Sequence, residues 1–267
     1  MIFAQLSDIH LDLPGSTGRC GINTGERLHR VVDRLNTVFH RPEFVIISGD
    51  LVNDPSPERY AFLRTLLDTL TVPYFLMVGN HDDREMLRTQ FPDHAYLHTG
   101  FAGDTGFVQY EIRLPTMSSL TNTHRIVITD TLKNGFHSGH LCDKRLTDLH
   151  DMLTVTPDLP TIVALHHPPF LTGIAGIDKY CLENATHIAD ILRNIPGVKY
   201  TLSGHVHRNV VFYDTGFTAS ICPAVSVEFG LDPDPTGERI TYSTGSAGFQ
   251  LHEWKNDGSL LTHTVYV

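Results

Sequence analysis

The chain has 267 residues, of which 41% are hydrophobic and 19% charged, with a formal net charge of −10 and a pI near 5.9. That composition can bury a sizeable core, while the acidic balance argues against a nucleic-acid polymer or an anionic membrane as partner. Cys20, Cys142, Cys181 and Cys222 are scattered with no C-x-x-C, which argues against a zinc ribbon or a disulfide scaffold and fits a reducing compartment. The start, M-I-F-A-Q-L, has neither a basic region nor a long apolar run, so a soluble cytoplasmic protein is expected. An acidic protein that acts on an anion needs local positive charge, which bound metal can supply, and 17 histidines offer the donors.

Ile2–Leu6 reads as a first buried strand running into Ser7-Asp8-Ile9-His10. Asp8 and His10 are two apart, so on extended backbone they face the same side and can share one ion. Leu13–Gly25 is a loop rich in Gly, Pro, Ser and Thr, and Thr24 is expected to cap a helix with Leu28, Val31, Val32, Leu35 and Phe39 at helical spacing. Phe44–Ile47 is a second strand, broken by Ser48-Gly49-Asp50. Ser56-Pro57 then starts a helix that uses Tyr60, Leu63, Leu66, Leu67 and Leu70. The third strand, Tyr74–Val78, ends at Gly79 and a polar cluster, Asn80-His81-Asp82-Asp83, placed where a sheet edge presents chemistry. Asp82 and Asp83 read as loop and helix-start groups, with Asp82 also able to support His81. Strand–helix–strand–helix–strand predicts parallel pairing with right-handed crossovers.

Phe107–Leu114 and Arg125–Thr129 read as strands joined by turns, and Asp143–Leu153 as a helix. Thr161–Leu165 is a fourth buried strand with a polar ending, His166-His167-Pro168-Pro169. Pro168 keeps His167 extended, so the two rings should diverge and one of them reach a given site. Gly173–Asn184 is a loop, and Asn184 is expected to cap a helix using Ile188, Ile191 and Leu192. Tyr200–Leu202 ends in Ser203-Gly204-His205-Val206-His207, a compact two-histidine arm. Val210–Tyr213, Phe217–Cys222, Ala247–Trp254 and Leu260–Val267 complete the strands, with Asn256-Asp257-Gly258 as a turn and Asp232–Thr236 as a loop.

Each polar ending is weak alone, since D-x-H, G-D and an N-D turn are common. Five in succession are not, and if their strands lie side by side in one sheet the endings meet at one edge. Nitrogen and oxygen donors without sulfur suit Zn, Fe, Mn or Co, and there are enough for two ions sharing a carboxylate.

D-x-H, G-D, G-N-H-D, H-H-P-P and G-H-V-H, in this order over residues 8–207, resemble the calcineurin-like metallophosphoesterase superfamily. The chain is most similar there to bacterial class III cyclic nucleotide phosphodiesterases and related glycerophosphodiesterases. The resemblance implies one α/β domain over residues 1–267, two mixed β-sheets packed as a sandwich flanked by helices, with 170–184 and 225–244 as substrate-side loops. It implies a first metal held by Asp8, His10, Asp50 and His207, and a second held by Asp50, Asn80, His166 and His205, with His81 as a catalytic histidine that binds no metal. It further implies a small-molecule phosphodiester substrate, a 3′,5′-cyclic nucleotide such as cAMP or a glycerophosphodiester. A metal-activated hydroxide would attack phosphorus while His81 stabilises the phosphate or protonates the leaving alkoxide. A homodimer or higher homo-oligomer is expected on the same ground. The remaining histidines, His137 and His252 among them, read as surface or packing residues.

Two rival readings come with the resemblance. Gly49-Asp50-Leu51-Val52-Asn53-Asp54-Pro55 lacks the arginine of the protein-phosphatase pattern, which lowers a phosphoprotein reading but leaves a broad phosphomonoesterase. A noncatalytic interaction scaffold of the same fold is disfavoured because every ligand position is filled.

Overall fold

Short runs of Val, Ile, Leu and Phe that are apolar at every position can only be satisfied when both strand faces are covered. In the computed structural model, which describes residues 1–103, 106–116, 119–213, 216–231 and 239–267, these runs form the centres of two sheets. The five-stranded sheet runs in the order Leu260–Tyr266, Gly248–Trp254, Ile2–Leu6, Val45–Ile47, Tyr74–Leu76. Its last three strands are parallel, and Gly248–Trp254 lies antiparallel to both of its neighbours. The six-stranded sheet runs Tyr110–Thr116, Ser119–Thr129, Thr161–Leu165, Val198–Ser203, Thr218–Ile221, Val210–Tyr213. Here the four inner strands are parallel and both edge strands antiparallel.

Alternation along the second sheet shows how the layers stack. Ile126, Ile128, Ile162, Ala164 and Leu202 join the core that contains the first sheet and helices Thr24–Thr37 and Pro57–Leu67. Val127, Val163 and Leu165 point the other way, onto helices Asp143–Thr154 and Ala185–Arg193. This is the α/β arrangement of two mixed sheets with flanking helices that the motif order implied. No helix among the described residues is long and apolar enough to cross a membrane.

Three local expectations are corrected. The first helix is capped by Asn23, whose side chain accepts from Glu26 N at 3.1 Å, while Thr24 Oγ1 accepts from Asp12 N instead. That helix ends at Thr37, so Phe39 falls beyond its apolar face and is 92% exposed. Asn184 precedes its helix without capping it, because its amide is taken by Leu141 N and O at 3.3 and 2.8 Å. Asp83, by contrast, caps Arg84–Gln90 through Met86 N at 2.8 Å. The Gly173–Asn184 stretch contains a short helix, Ala175–Asp178. Asp232–Thr236 lies outside the described residues.

Candidate metal centre

The five polar endings do not share one sheet. Three follow strands of the first sheet and two follow strands of the second, and the carboxyl ends of the two sheets meet. Convergence is therefore achieved across the sandwich. Buried polar bonds tie the junction. Gln5 Nε2 donates to Ser48 Oγ at 2.8 Å and to Ser203 O at 3.0 Å, and Gly204 N donates to His166 O at 3.0 Å. His205 N donates to the Asp8 carboxylate at 3.0–3.1 Å. Close approach explains one glycine: Gly49 has φ +95°, and a Cβ there would stand 2.6 Å from His166 Nδ1.

Asp8, His10, Asp50 and His207 gather donor atoms within 4.8 Å of one another. His10 Nε2 is 3.4 Å from Asp50 Oδ2 and 3.1 Å from His207 Nε2, which is 3.3 Å from Asp8 Oδ1. The edge of a tetrahedron around an ion with bonds of about 2.0–2.1 Å is about 3.3 Å, so these spacings suit one cation. His207 donates Nδ1–H to Val227 O at 2.7 Å, which leaves Nε2 as the acceptor that faces the cluster.

A second group adjoins it. His166 donates Nδ1–H to Ser48 O at 2.8 Å, and its Nε2 stands 3.4 Å from the same Asp50 Oδ2. His205 Nδ1 meets Asn80 Oδ1 at 3.1 Å. The Nε2 atoms of His166 and His205 are buried without a hydrogen-bond partner, a costly condition that a cation would relieve. His167 lies near both rings but uses both nitrogens elsewhere, Nδ1 with Thr131 Oγ1 at 2.7 Å and Nε2 with His137 O at 3.0 Å. The two rings of the pair are at 88° to each other, and His166 is the one turned toward Asp50.

Charge follows the geometry. Against burial, which would raise it, His207 and His166 hold Asp8 at about 2. Asp50 is likewise held well below the usual carboxylate range, against burial, by His166 and His10. Burial pushes His10 down to about 3, and burial with His166 does the same to His205. His166 goes up to about 9, because Asp50 and Asp8 outweigh burial. Asp8 and Asp50 as carboxylates and His10 and His205 as neutral imidazoles are already in the form that binds a divalent ion, whereas His166 would have to release its proton to do so.

His81 stands at the rim of this group, its ring 4.6 Å from that of His10. Its main-chain N donates to Asp50 Oδ1 at 2.9 Å, and its Nδ1–H donates to Asn53 O at 2.7 Å. Asp82 does not touch the His81 ring. It is buried beneath the loops, accepting from Leu51 N, Gly79 N and Tyr60 Oη at 2.8–3.2 Å. Burial and the nearby Asp50 push it up to about 7.

Above the donors opens a cavity of about 200 Å³ whose lining includes His10, Asp50, Asn80, His81, His205 and His207. Its outer walls come from Arg19, His137, Ile177, Tyr180, Phe229, Ile240 and Tyr242. Five of these seven, Ile177, Tyr180, Phe229, Ile240 and Tyr242, lie in the stretches 170–184 and 225–244 expected on the substrate side, whereas Arg19 and His137 carried no signal in the sequence. His137, read as a surface or packing residue, meets Asn80 Nδ2 at 3.3 Å. Phe229 stacks on His207 at 4.0 Å and 10°, and the Arg19 guanidinium lies 4.5 Å over the Tyr242 ring.

The profile of the family described as calcineurin-like phosphoesterase matches residues 1–209. A probable glycerophosphodiester phosphodiesterase of Arcobacter nitrofigilis is 26% identical over 270 residues, covering 100% of this chain and 93% of that protein. A 3′,5′-cyclic adenosine monophosphate phosphodiesterase of Escherichia coli is 26% identical over 258 residues, covering 97% of this chain and 86% of that one. Among solved structures, a dimetal phosphatase from Danio rerio superposes with a TM-score of 0.72 at 14% identity, over 99% of this chain and 95% of that one.

Proposed function

The chain belongs to the calcineurin-like phosphoesterase family, and from that premise we propose that it is a two-metal phosphodiesterase acting on a small diester whose alcohol carries a nucleoside. The observation that carries the proposal is the convergence of donors from five strand endings, five of those donors (His10, Asp50, Asn80, His205 and His207) lining one cavity with His81.

In this reading Asp8, His10, Asp50 and His207 hold one cation, and Asp50, Asn80, His166 and His205 a second. Asp50 Oδ2 is equidistant, at 3.4 Å, from His10 Nε2 and His166 Nε2, as a shared ligand would be. Divalent Fe, Mn, Zn or Co bound there would lower the pKa of a coordinated water and neutralise charge on the phosphate oxygens. His81 is then the proton donor. With Nδ1–H anchored on Asn53 O, its Nε2 is left to deliver a proton to the leaving oxygen as the ester bond to phosphorus breaks. The fixed carbonyl keeps the ring in one orientation, so the proton is held where the alkoxide develops.

Ile177, Tyr180, Phe229, Ile240 and Tyr242 supply apolar and aromatic surface on the alcohol side of the cavity, which favours a flat base over a small polyol. A glycerophosphodiester is the second reading, supported by the relative from Arcobacter nitrofigilis that covers the whole chain. The deciding experiment compares kcat/KM of the metal-reconstituted protein for 3′,5′-cyclic AMP, glycerophosphocholine and a phosphomonoester. Preference for the cyclic nucleotide is the expected result. Preference for the polyol diester would overturn the substrate assignment, and preference for the monoester would overturn the diesterase reading itself.

A further inference from the structure

Arg27 is an unusual buried cation. It sits in the first turn of helix Thr24–Thr37, is 9% exposed, and both of its hydrogen bonds go to main-chain carbonyls, those of Ser226 and Thr244. A guanidinium taken out of water is costly unless its geometry is well satisfied, so its targets matter. They flank an antiparallel two-stranded ribbon, Glu228–Phe229 paired with Tyr242–Ser243, at the end where Glu228 faces Ser243, so Arg27 ties the two strands to the helix at that one end.

On the Ser226 side of that ribbon Val225, Ser226, Val227 and Phe229 all contact residues of the candidate metal centre or its immediate neighbour Ser7. Val225 N donates to Ser7 O at 3.0 Å, and Ser226 donates to Asp8 O twice, from N at 3.2 Å and from Oγ at 2.7 Å. Val227 O accepts Nδ1–H of His207 at 2.7 Å, and Phe229 covers the face of the same ring. The peptide linking Ser226 to Val227 therefore has its carbonyl held by Arg27, while Ser226 holds the Asp8 main chain and Val227 orients the His207 imidazole. Both residues also have strained backbone, with φ of 51° at Asp8 and 56° at His207, so their orientation depends on what surrounds them.

We propose that Arg27 is a positioning residue for the first cation site: by clamping the Ser226 and Thr244 carbonyls it fixes the segment that aims Asp8 and His207. The inference rests on the ligand assignment given above. Groups behind metal ligands commonly change metal affinity by about 10–100-fold when removed. Nothing in the sequence pattern marks Arg27, because its partners lie about two hundred residues away.

The test is a Co²⁺ titration of metal-stripped protein followed by visible absorption, with urea unfolding run in parallel on Arg27→Met, Arg27→Lys, His207→Ala, Asn80→Ala and Arg125→Met. The expected result is that Arg27→Met weakens, by about 10–100-fold, the same one of two Co²⁺ ions that His207→Ala weakens, and spares the ion that Asn80→Ala affects. Arg27→Lys, which can still reach one carbonyl, should recover part of the loss. Wild-type binding of both ions by a folded Arg27→Met or Arg27→Lys protein would overturn the proposal. So would equal weakening by Arg125→Met, a variant destabilised far from the site, since the effect would then be global. If His207→Ala binds both ions normally, the ligand assignment fails first and this inference falls with it.

Discussion

Asp82 is the residue on which the geometry of the loops should depend most, although it binds no metal in the proposed scheme. Its carboxylate accepts from Leu51 N and Gly79 N, each adjacent to a proposed ligand, Asp50 and Asn80 respectively. It also accepts from Tyr60 Oη, which itself accepts from Asp83 N at 2.9 Å, where the next helix begins. Asp82→Ala would strand two main-chain donors and a phenol in a site that is 6% exposed. At roughly 1–3 kcal/mol for each unsatisfied buried group, and with water entering to relieve part of it, the loss should be about 4 kcal/mol. Asp82→Asn keeps one acceptor and can offer its amide to Tyr60, so about 1–2 kcal/mol is expected. Tyr60→Phe removes one bond from the same network, and a double-mutant cycle with Asp82→Ala should give a coupling of about 1 kcal/mol or more. Urea unfolding of metal-stripped protein measures all three, and metal content after dialysis reads the consequence for the site, where weaker retention is expected in both Asp82 variants. An Asp82→Ala protein with wild-type stability and full metal content would refute the reasoning, because the donors would then be satisfied without it.

His81→Ala should retain both metals and lose about 10²–10⁴-fold in kcat on an unactivated diester; a wild-type rate would end its role as proton donor. Arg125 is fully buried, with donors on Met152 O, Leu153 O, Thr156 O and Thr161 Oγ1 at 2.6–3.2 Å, where it caps the helix Asp143–Thr154. Arg125→Met should cost about 3 kcal/mol or more in urea unfolding, with metal content unchanged. His252 is buried between Phe3, Gln5 and Thr262, and burial pushes it from 6.5 down to about 3, so the unfolded chain binds its proton first and stability falls as pH drops from 6.5 toward 3. Between pH 7 and pH 5 the wild type should lose about 2 kcal/mol more than His252→Gln, and parallel losses would refute the assignment.

What could be read from the sequence was whatever the chain encodes locally. A strand buried on both faces must be apolar throughout, so the point where Leu6, Ile47, Val78, Leu165 and Leu202 give way to Asp8, Asp50, Asn80, His166 and His205 is visible in one dimension. That the endings come from two sheets is not visible, because it depends on Gln5, Ser48 and Ser203 meeting across the sandwich. Of the outer walls, the loops 170–184 and 225–244 were legible but Arg19 was hidden for the same reason, since it meets Tyr242 across more than two hundred residues. The first-helix cap was misread because Asn23 and Thr24 are both good caps, and only the loop at Asp12 decides which oxygen is free.

The backbone at these endings carries a further argument. Asp8, His10, Asp50, His205 and His207 have φ between 45° and 69°, a region where a residue with a Cβ is disfavoured by about 1–2 kcal/mol. Local propensity alone would place Gly or Asn at such positions. Carboxylates and imidazoles stand there instead, so the conformational cost is maintained by the contacts around them, such as His10 N to Asp50 O and His205 N to Asp8. Conflict between local preference and residue choice at five of the seven proposed ligands, and at only one other non-glycine residue among those described, Cys20, is what separates this cluster from a chance grouping of buried polar side chains. The same strain that makes the loops unfavourable as loops turns their side chains inward, which is the arrangement a shared pair of cations would require.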